Sequence, residues 1–250
     1  MSQIIERLNS QPPAVMALQG RLIVSCQATA GDPTYGSHFM AAFARAAQIG
    51  GAAGIRASGP DDIRAIKAAT GLPVIGIQKL PGADGRTLIT PSLEAAAPLV
   101  AAGADIVALD ATDRPRPGGL TAGQLVARLA AELRVPIMVD VEWAAEGFAA
   151  VDAGADLVAT TLSVYHCADY TPDLDLVAAL ARLPAPVIAE GNYWTPEQVR
   201  AAFDAGAWAV VIGSAITRPW LITQRFVEAI PTLTTKTPRH EETQRVPNSL

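Results

Sequence analysis

The sequence predicts an α/β chain folded as a single (β/α)8 barrel, the TIM barrel, on three observations. Its 250 residues match the length of one such barrel and suffice for one large core. Four segments repeat one pattern, Gly51-Ala-Ala-Gly-Ile-Arg, Gly103-Ala-Asp-Ile-Val-Ala, Gly154-Ala-Asp-Leu-Val-Ala and Gly206-Ala-Trp-Ala-Val-Val, with glycines 52, 51 and 52 residues apart. Between them fall Pro73-Val-Ile-Gly-Ile, Pro136-Ile-Met-Val-Asp and Pro186-Val-Ile-Ala-Glu. Together with Leu22-Ile-Val-Ser-Cys they bring the short apolar runs to eight.

Each element has a local reason. In every repeat an Ala-rich helical stretch stops at Gly, which best tolerates the left-handed C-cap conformation, and then enters an apolar run that reads as a buried strand. Proline opens the intervening strands, where a first residue can forgo its N–H. Strands are expected at 22–27, 53–57, 73–79, 105–110, 136–141, 156–161, 186–190 and 208–213, with helices between them. Two βα units per roughly 50 residues, taken four times, make the barrel. A doubly wound open sheet is the alternative. It is disfavoured because the repeat runs unbroken and no glycine-rich dinucleotide fingerprint follows the first strand. The barrel is expected over residues 1–230, with residues 1–20 leading into or capping its bottom. Residues 231–250 hold Pro231, Pro238, Pro247, His240 and a mixed-charge stretch from Lys236 to Arg245, and read as a solvated tail.

Composition excludes several classes. Half of the residues are hydrophobic and only 17% are charged, which suits Ala-rich helices on a buried sheet and not a disordered chain. The net charge of −5 comes without a basic stripe, against nucleic-acid binding. Two cysteines, Cys26 and Cys167, make no disulfide framework. Residues 1–10 lack a long apolar core, so no signal peptide is expected, and no apolar run is long enough to span a bilayer. The expected location is the cytoplasm.

The active site of such a barrel is built at the C-terminal ends of its strands. The polar residues that stop the apolar runs are, in order, Gln27, Arg56, Lys79, Asp110, Asp140, Thr160 with Thr161, Glu190, and Gly213 with Ser214. Lys79 is the sharpest candidate. Of the three lysines, Lys67 falls on a helix face and Lys236 in the tail, and only Lys79 ends a buried strand. A lysine kept neutral by burial can act as a base or form a Schiff base. Glu190 ends the seventh strand, opposite the third in an eight-membered ring, so the two can reach one substrate from two sides, or Glu190 can simply orient Lys79. The loops after the seventh and eighth strands, the usual phosphate site of this fold, read Glu190-Gly191-Asn192 and Gly213-Ser-Ala-Ile-Thr-Arg218. They mark the barrel as the phosphate-binding type, with Arg218 supplying positive charge in an acidic chain.

Metal chemistry is not expected. His38, His166 and His240 lack ligand spacing, and His166-Cys167 reads as a loop pair. Asp110 and Asp140 can hold either Mg2+ or sugar hydroxyls, the second being simpler. Cys26 reads as a small buried hydrophobe. Arg114-Pro-Arg116-Pro is either a loop over the substrate or an exposed turn.

At these residues the sequence resembles the N-acetylmannosamine-6-phosphate 2-epimerase family, from about Gly20 to Ile230. The matching stretches are Leu22-Ile-Val-Ser-Cys-Gln-Ala, Gly54-Ile-Arg-Ala, Val74-Ile-Gly-Ile-Gln-Lys79, Ile89-Thr-Pro, Ala108-Leu-Asp-Ala-Thr, Thr160-Thr-Leu-Ser, Val187-Ile-Ala-Glu-Gly and Gly213-Ser-Ala-Ile-Thr-Arg218. The resemblance implies an isomerase of sialic-acid and amino-sugar catabolism that interconverts N-acetylmannosamine-6-phosphate and N-acetylglucosamine-6-phosphate without a cofactor. It implies Lys79 as catalytic acid/base with Glu190 as partner, Gln27, Arg56 and Asp140 holding the sugar, and Gly213, Ser214 and Arg218 holding the phosphate. By their places at the end of the sixth strand and in the loop after the seventh, Thr161 is expected to join the sugar site and Gly191 and Asn192 the phosphate site. The chain departs from the family where Asn192 replaces a frequent Arg, where Val164 replaces Gly, in Val141-Glu-Trp143 after the fifth strand, and in the loop Leu80-Pro-Gly-Ala-Asp-Gly.

In the implied reaction Lys79 removes the C2 proton of the open-chain sugar, and an enolate forms beside donors such as Gln27 or Arg56. The rivals are a Schiff-base aldolase on the same lysine and a non-catalytic sugar-phosphate sensor. The only expected partner is the small sugar phosphate. A homodimer is expected because closed dimers are the commonest soluble assembly.

Overall fold

Strands buried on both faces need apolar residues at every position, and that is how this chain builds its barrel. The structure is a computed structural model that describes residue 8, residues 10–167 and residues 170–231. Eight parallel strands close into a ring: β1 (Arg21–Cys26), β2 (Gly54–Ser58), β3 (Val74–Ile77), β6 (Ile106–Asp110), β7 (Ile137–Asp140), β8 (Leu157–Ala159), β9 (Val187–Glu190) and β10 (Ala209–Ile212). The ring shuts where Leu22 pairs with Val210 and Val24 with Ile212. The helices α2 (Ser37–Ile49), α3 (Pro60–Thr70), α4 (Leu93–Ala101), α5 (Ala122–Glu132), α6 (Ala144–Asp152), α7 (Leu174–Leu180) and α8 (Pro196–Asp204) alternate with the strands, and α9 (Ser214–Thr217) and α10 (Pro219–Glu228) follow the last strand.

Residues alternate between two cores. Ile23, Ile75, Ile77, Ile106, Met138, Leu157, Ile188 and Val211 fill the barrel interior. Their chain neighbours Val24, Val74, Val107, Val139, Val158, Val187 and Val210 pack outward with the helices, as does Ile55 on β2.

The repeated glycines end α2, α4, α6 and α8 in one manner. Gly51, Gly103, Gly154 and Gly206 have φ of 92°, 103°, 109° and 101°. The next residue's N–H reaches back five positions in each case: Ala52 to Ala47, Ala104 to Leu99, Ala155 to Ala150 and Ala207 to Ala202. Each is a Schellman C-cap, which satisfies carbonyls the helix end leaves bare. Pro73, Pro136 and Pro186 stand just before their strands and lend the ladder their carbonyls, accepting from Ile55, Val107 and Val158.

Two features lie outside the eight-fold repeat. α1 (Pro13–Met16) places Val15 and Leu18, both fully buried, among the interior residues at the N-terminal end of the ring. The second is an antiparallel hairpin, β4 (Lys79–Pro81) with β5 (Thr87–Ile89), at the opposite end. A single strand was expected over 73–79. The barrel strand instead ends at Ile77, and Lys79 pairs with Ile89 in the hairpin. The tail beyond 231 and the first seven residues, with Lys236 and His240, lie outside the described residues. No helix among the described residues is long and apolar enough to cross a membrane.

Candidate active site

The two-residue alternation of a strand decides which polar side chains enter the barrel. Counting from the interior residues Ile23, Ile77, Ile106, Met138, Ile188 and Val211, the same parity falls on Ser25 and Gln27, Lys79, Asp110, Asp140, Glu190 and Gly213. On β2, Ile55 packs outward, so Arg56 points in. A cavity of about 510 Å³ opens at this end of the ring. Of the residues expected to form the site, Gln27, Arg56, Lys79, Thr161, Glu190, Gly191, Asn192, Gly213, Ser214 and Arg218 all line it.

Asp140 does not. It is fully buried beneath the cavity, and its carboxylate is taken up by protein partners. Arg56 Nη2 lies 2.5 Å from Asp140 Oδ2, and Arg56 Nη1 lies 3.0 Å from Oδ1. Thr161 Oγ1 donates to the same Oδ1 at 2.6 Å. Arg56 Nη1 also pairs with Glu190 Oε2 and lies 3.0 Å from Thr161 Oγ1. One guanidinium thus bridges two carboxylates, one below the floor and one facing the cavity. A planar fork with five donors is suited to that task. Thr160 completes the mount, its hydroxyl accepting from the Glu190 N–H at 3.0 Å and donating to the Glu190 carbonyl at 2.9 Å. Asp110 is likewise fully buried and spent on Thr112 and Arg114.

The electrostatics divide the two candidate proton carriers. Burial pushes the Lys79 ammonium down to about 8, the nearby charges of Arg56 and Arg218 push the same way, and Glu190 and Asp140 oppose them. Burial raises the Glu190 carboxyl above the usual carboxylate range; the Arg56 charge opposes this and the Asp140 charge adds to it. One group therefore gives up its proton more readily and the other holds one more readily, across a single cavity. Gln27 Nε2 donates to Ser25 Oγ at 2.8 Å, while its buried Oε1 has no partner among the described residues.

The loops after β9 and β10 shape the far wall. Gly191 and Asn192 both have positive φ, 115° and 59°, a conformation Gly adopts freely and Asn tolerates. A Cβ on Gly191 would stand 2.7 Å from Val164 Cγ1. Gly213 precedes the first turn of α9, whose leading N–H groups have no helical acceptors, and Arg218 follows that turn.

The matched family model, described as N-acetylmannosamine-6-phosphate epimerase (NanE), spans residues 40–232. The chain belongs to this family. An N-acetylmannosamine-6-phosphate 2-epimerase homologue of Caldanaerobacter subterraneus subsp. tengcongensis is 45% identical over 227 residues, 88% of this chain and 95% of the relative. The bifunctional NanE/NanK enzyme of Brucella melitensis is 46% identical over 219 residues, 86% of this chain and 42% of that longer protein. The solved N-acetylmannosamine-6-phosphate 2-epimerase of Clostridium perfringens superposes with a TM-score of 0.83 at 39% identity, covering 88% of this chain and 97% of that one.

The rim of this epimerase-family barrel carries residues that the strand-end reading missed. Ser25, Thr87, Tyr165, Tyr170, Tyr193 and Trp194 also line the cavity. Ser25 shares the parity of Gln27 and was findable from that; the aromatics sit outside the barrel strands and long helices, Tyr165 at the end of a short 3-10 turn, where no period marks them. Arg114 neither covers the cavity nor hangs free. It ties the hairpin down, bonding Asp84, the Thr87 and Arg86 carbonyls, and buried Asp110. Arg116 is buried on the Asp110 and Thr112 carbonyls. Cys26 is buried, its thiol pushed up to about 12 by burial.

Proposed function

We propose that this chain inverts C2 of N-acetylmannosamine-6-phosphate to give N-acetylglucosamine-6-phosphate, with Lys79 and Glu190 as its two proton carriers. The observation that carries the reading is that Lys79 and Glu190 line one cavity, Glu190 mounted by Arg56, Thr160 and Thr161, in surroundings that loosen the Lys79 proton and tighten the Glu190 proton. Neutral Lys79 takes the C2 proton of the open-chain sugar, and the C–H electron pair becomes the C1=C2 bond of an enolate. Protonated Glu190 returns a proton to the opposite face of C2, the aldehyde re-forms, and solvent exchange resets both groups. Arg56 serves as a positioning residue for Glu190, because its Nη groups are already engaged. Gln27 and Thr161 face the sugar, and the second amide hydrogen of Gln27 can meet the developing oxyanion. Gly191, Asn192, Gly213, Ser214 and Arg218 hold the phosphate far from C2 and keep the sugar in register.

A cytoplasmic location and a homodimer belong to the same reading. Phe226, Val227 and Ile230, exposed on and just beyond α10, are the apolar surface such a dimer would cover.

The test is to incubate the purified chain with N-acetylmannosamine-6-phosphate in D2O, with EDTA present, and to follow C2 by proton NMR. The expected result is N-acetylglucosamine-6-phosphate carrying deuterium at C2, with Lys79→Ala inactive. A Lys79→Ala variant that epimerises near the wild-type rate would overturn the scheme.

A further inference from the structure

Beyond the cavity, the fold brings Asp173 to His166-Cys167, which in the sequence reads as a loop pair. His166, Cys167 and Asp173 each present a ligand atom, and all three atoms lie within 4.8 Å of one another. None of the three lines the cavity. We propose that they form a binding site for a borderline divalent transition metal such as Zn2+, which clips the segment after β8 to the start of α7.

The ligand set suits that class of ion, with one imidazole, one thiol and one carboxylate and a fourth position left to water. Zinc–ligand bonds of about 2.0–2.3 Å set the ligand atoms of a tetrahedral site roughly 3.3–3.7 Å apart. His166 Nε2 already stands 3.6 Å from Asp173 Oδ2, at the spacing of a tetrahedral site, and the Cys167 thiol lies beside the same carboxylate. Asp173 Oδ2 is available because Oδ1 is the oxygen that accepts the Leu176 N–H, at 2.9 Å, as the cap of α7.

The surroundings of His166 are those of a metal ligand rather than a loop residue. Its other ring nitrogen, Nδ1, faces Glu142 Oε1 at 3.7 Å, beyond hydrogen-bond length but placed so that a small closure on metal binding would make Glu142 the supporting carboxylate of a ligand histidine. Trp143 stacks on the imidazole, with ring centres 3.9 Å apart and planes 7° from parallel. Glu142 and Trp143 belong to the segment after β7 where the chain departs from its family's pattern. The sequence showed no ligand spacing because the third ligand lies six residues beyond Cys167 and reaches it only through the fold.

The clip has a consequence for the cavity. Tyr170, which lines it, sits between Cys167 and Asp173, and the Thr171 carbonyl accepts from Asn192 Nδ2 on the opposite loop at 3.3 Å. A bound ion fixes Cys167 and Asp173, which flank Tyr170. It takes no part in the proton transfers, so activity with EDTA present is compatible with it.

The experiment uses the full-length chain without an affinity tag, stripped by chelator and titrated with Zn2+ by calorimetry and with Co2+ by absorption. The expected result is one ion per chain and a thiolate-to-cobalt charge-transfer band. Cys167→Ser abolishes the band, and Asp173→Asn, which keeps the helix cap, weakens Zn2+ binding at least tenfold. Glu142→Gln weakens it about 10–100-fold, as loss of a supporting carboxylate does. Sub-stoichiometric binding would overturn the proposal, as would a cobalt band that survives Cys167→Ser or an Asp173→Asn chain that binds as tightly as the wild type. The stripped Cys167→Ser chain should retain epimerisation; its failure to do so while Zn2+ binding is lost as expected would count against the ion standing apart from the chemistry.

Discussion

Arg56 shows how one side chain can serve two purposes at different depths. Its fork neutralises Asp140 under the floor and presents Glu190 to the cavity, so a charge that would otherwise be costly to bury becomes part of the mount. Replacing Glu190 by Gln removes the proposed proton donor and, where the carboxyl is ionised, a negative charge from the surroundings of Lys79. Because Glu190 holds the Lys79 ammonium up, the lysine then titrates below about 8. Glu190→Gln is expected to cut kcat/KM by about 10²–10⁴. It should also replace the wild-type bell with a profile that only rises with pH through a midpoint below 8. A residual profile that still falls on the alkaline side would contradict Lys79 as the base. Lys79 also carries a stability cost. Its folded value of about 8 lies below the ordinary lysine value of about 10.4, so relative to the unfolded chain the fold bears the full cost of holding the charged lysine at every pH below 8, and the cost fades between the two values. Lys79→Met is therefore expected to raise Tm at pH 7, by on the order of 1 kcal/mol of stability, and to give no gain above about pH 10.5. Melting curves across that range check it.

At the scale of elements, the regular parts of the fold were written in the sequence and the irregular parts were not. The Gly-Ala repeat marks four helix ends because a left-handed C-cap selects glycine at one position and nothing else in an Ala-rich helix does. Gly154→Ala, at φ of 109°, should destabilise the chain by about 1 kcal/mol or more. Gly123→Ala, inside α5 with its Cβ at an ordinary 3.6 Å from Ala153, should be neutral or stabilising. Chemical denaturation of the pair separates cap from helix interior. The β4–β5 hairpin escaped notice because arms of three residues show no period, and the run from Val74 to Lys79 reads as one strand. The same limit applied to the site. Strand ends named the polar residues, but the depth that separates Asp140 below the floor from Glu190 at its surface depends on register between strands, which one strand's sequence does not carry.

For the molecule as a whole, eight strands set the ring and the residues outside the repeat set its two ends. Leu18 is fully buried against the interior, with Cδ2 only 2.5 Å from where a Cβ on Gly54 would stand, and the Trp208 indole donates to the Val15 carbonyl. Leu18→Ala is expected to cost about 2–5 kcal/mol, in thermal or denaturant unfolding, with KM nearly unchanged because the cavity lies at the other end. That segment makes the barrel a cup stoppered at its base. With Val15 and Leu18 filling the base among the described residues, sugar phosphate and product of the proposed reaction share the rim, past Tyr165, Tyr170 and the Arg114-tethered hairpin. Neither epimer can leave ahead of the other through a back door, so each must compete with the other for one opening, and traffic in both directions is governed by whatever holds that rim.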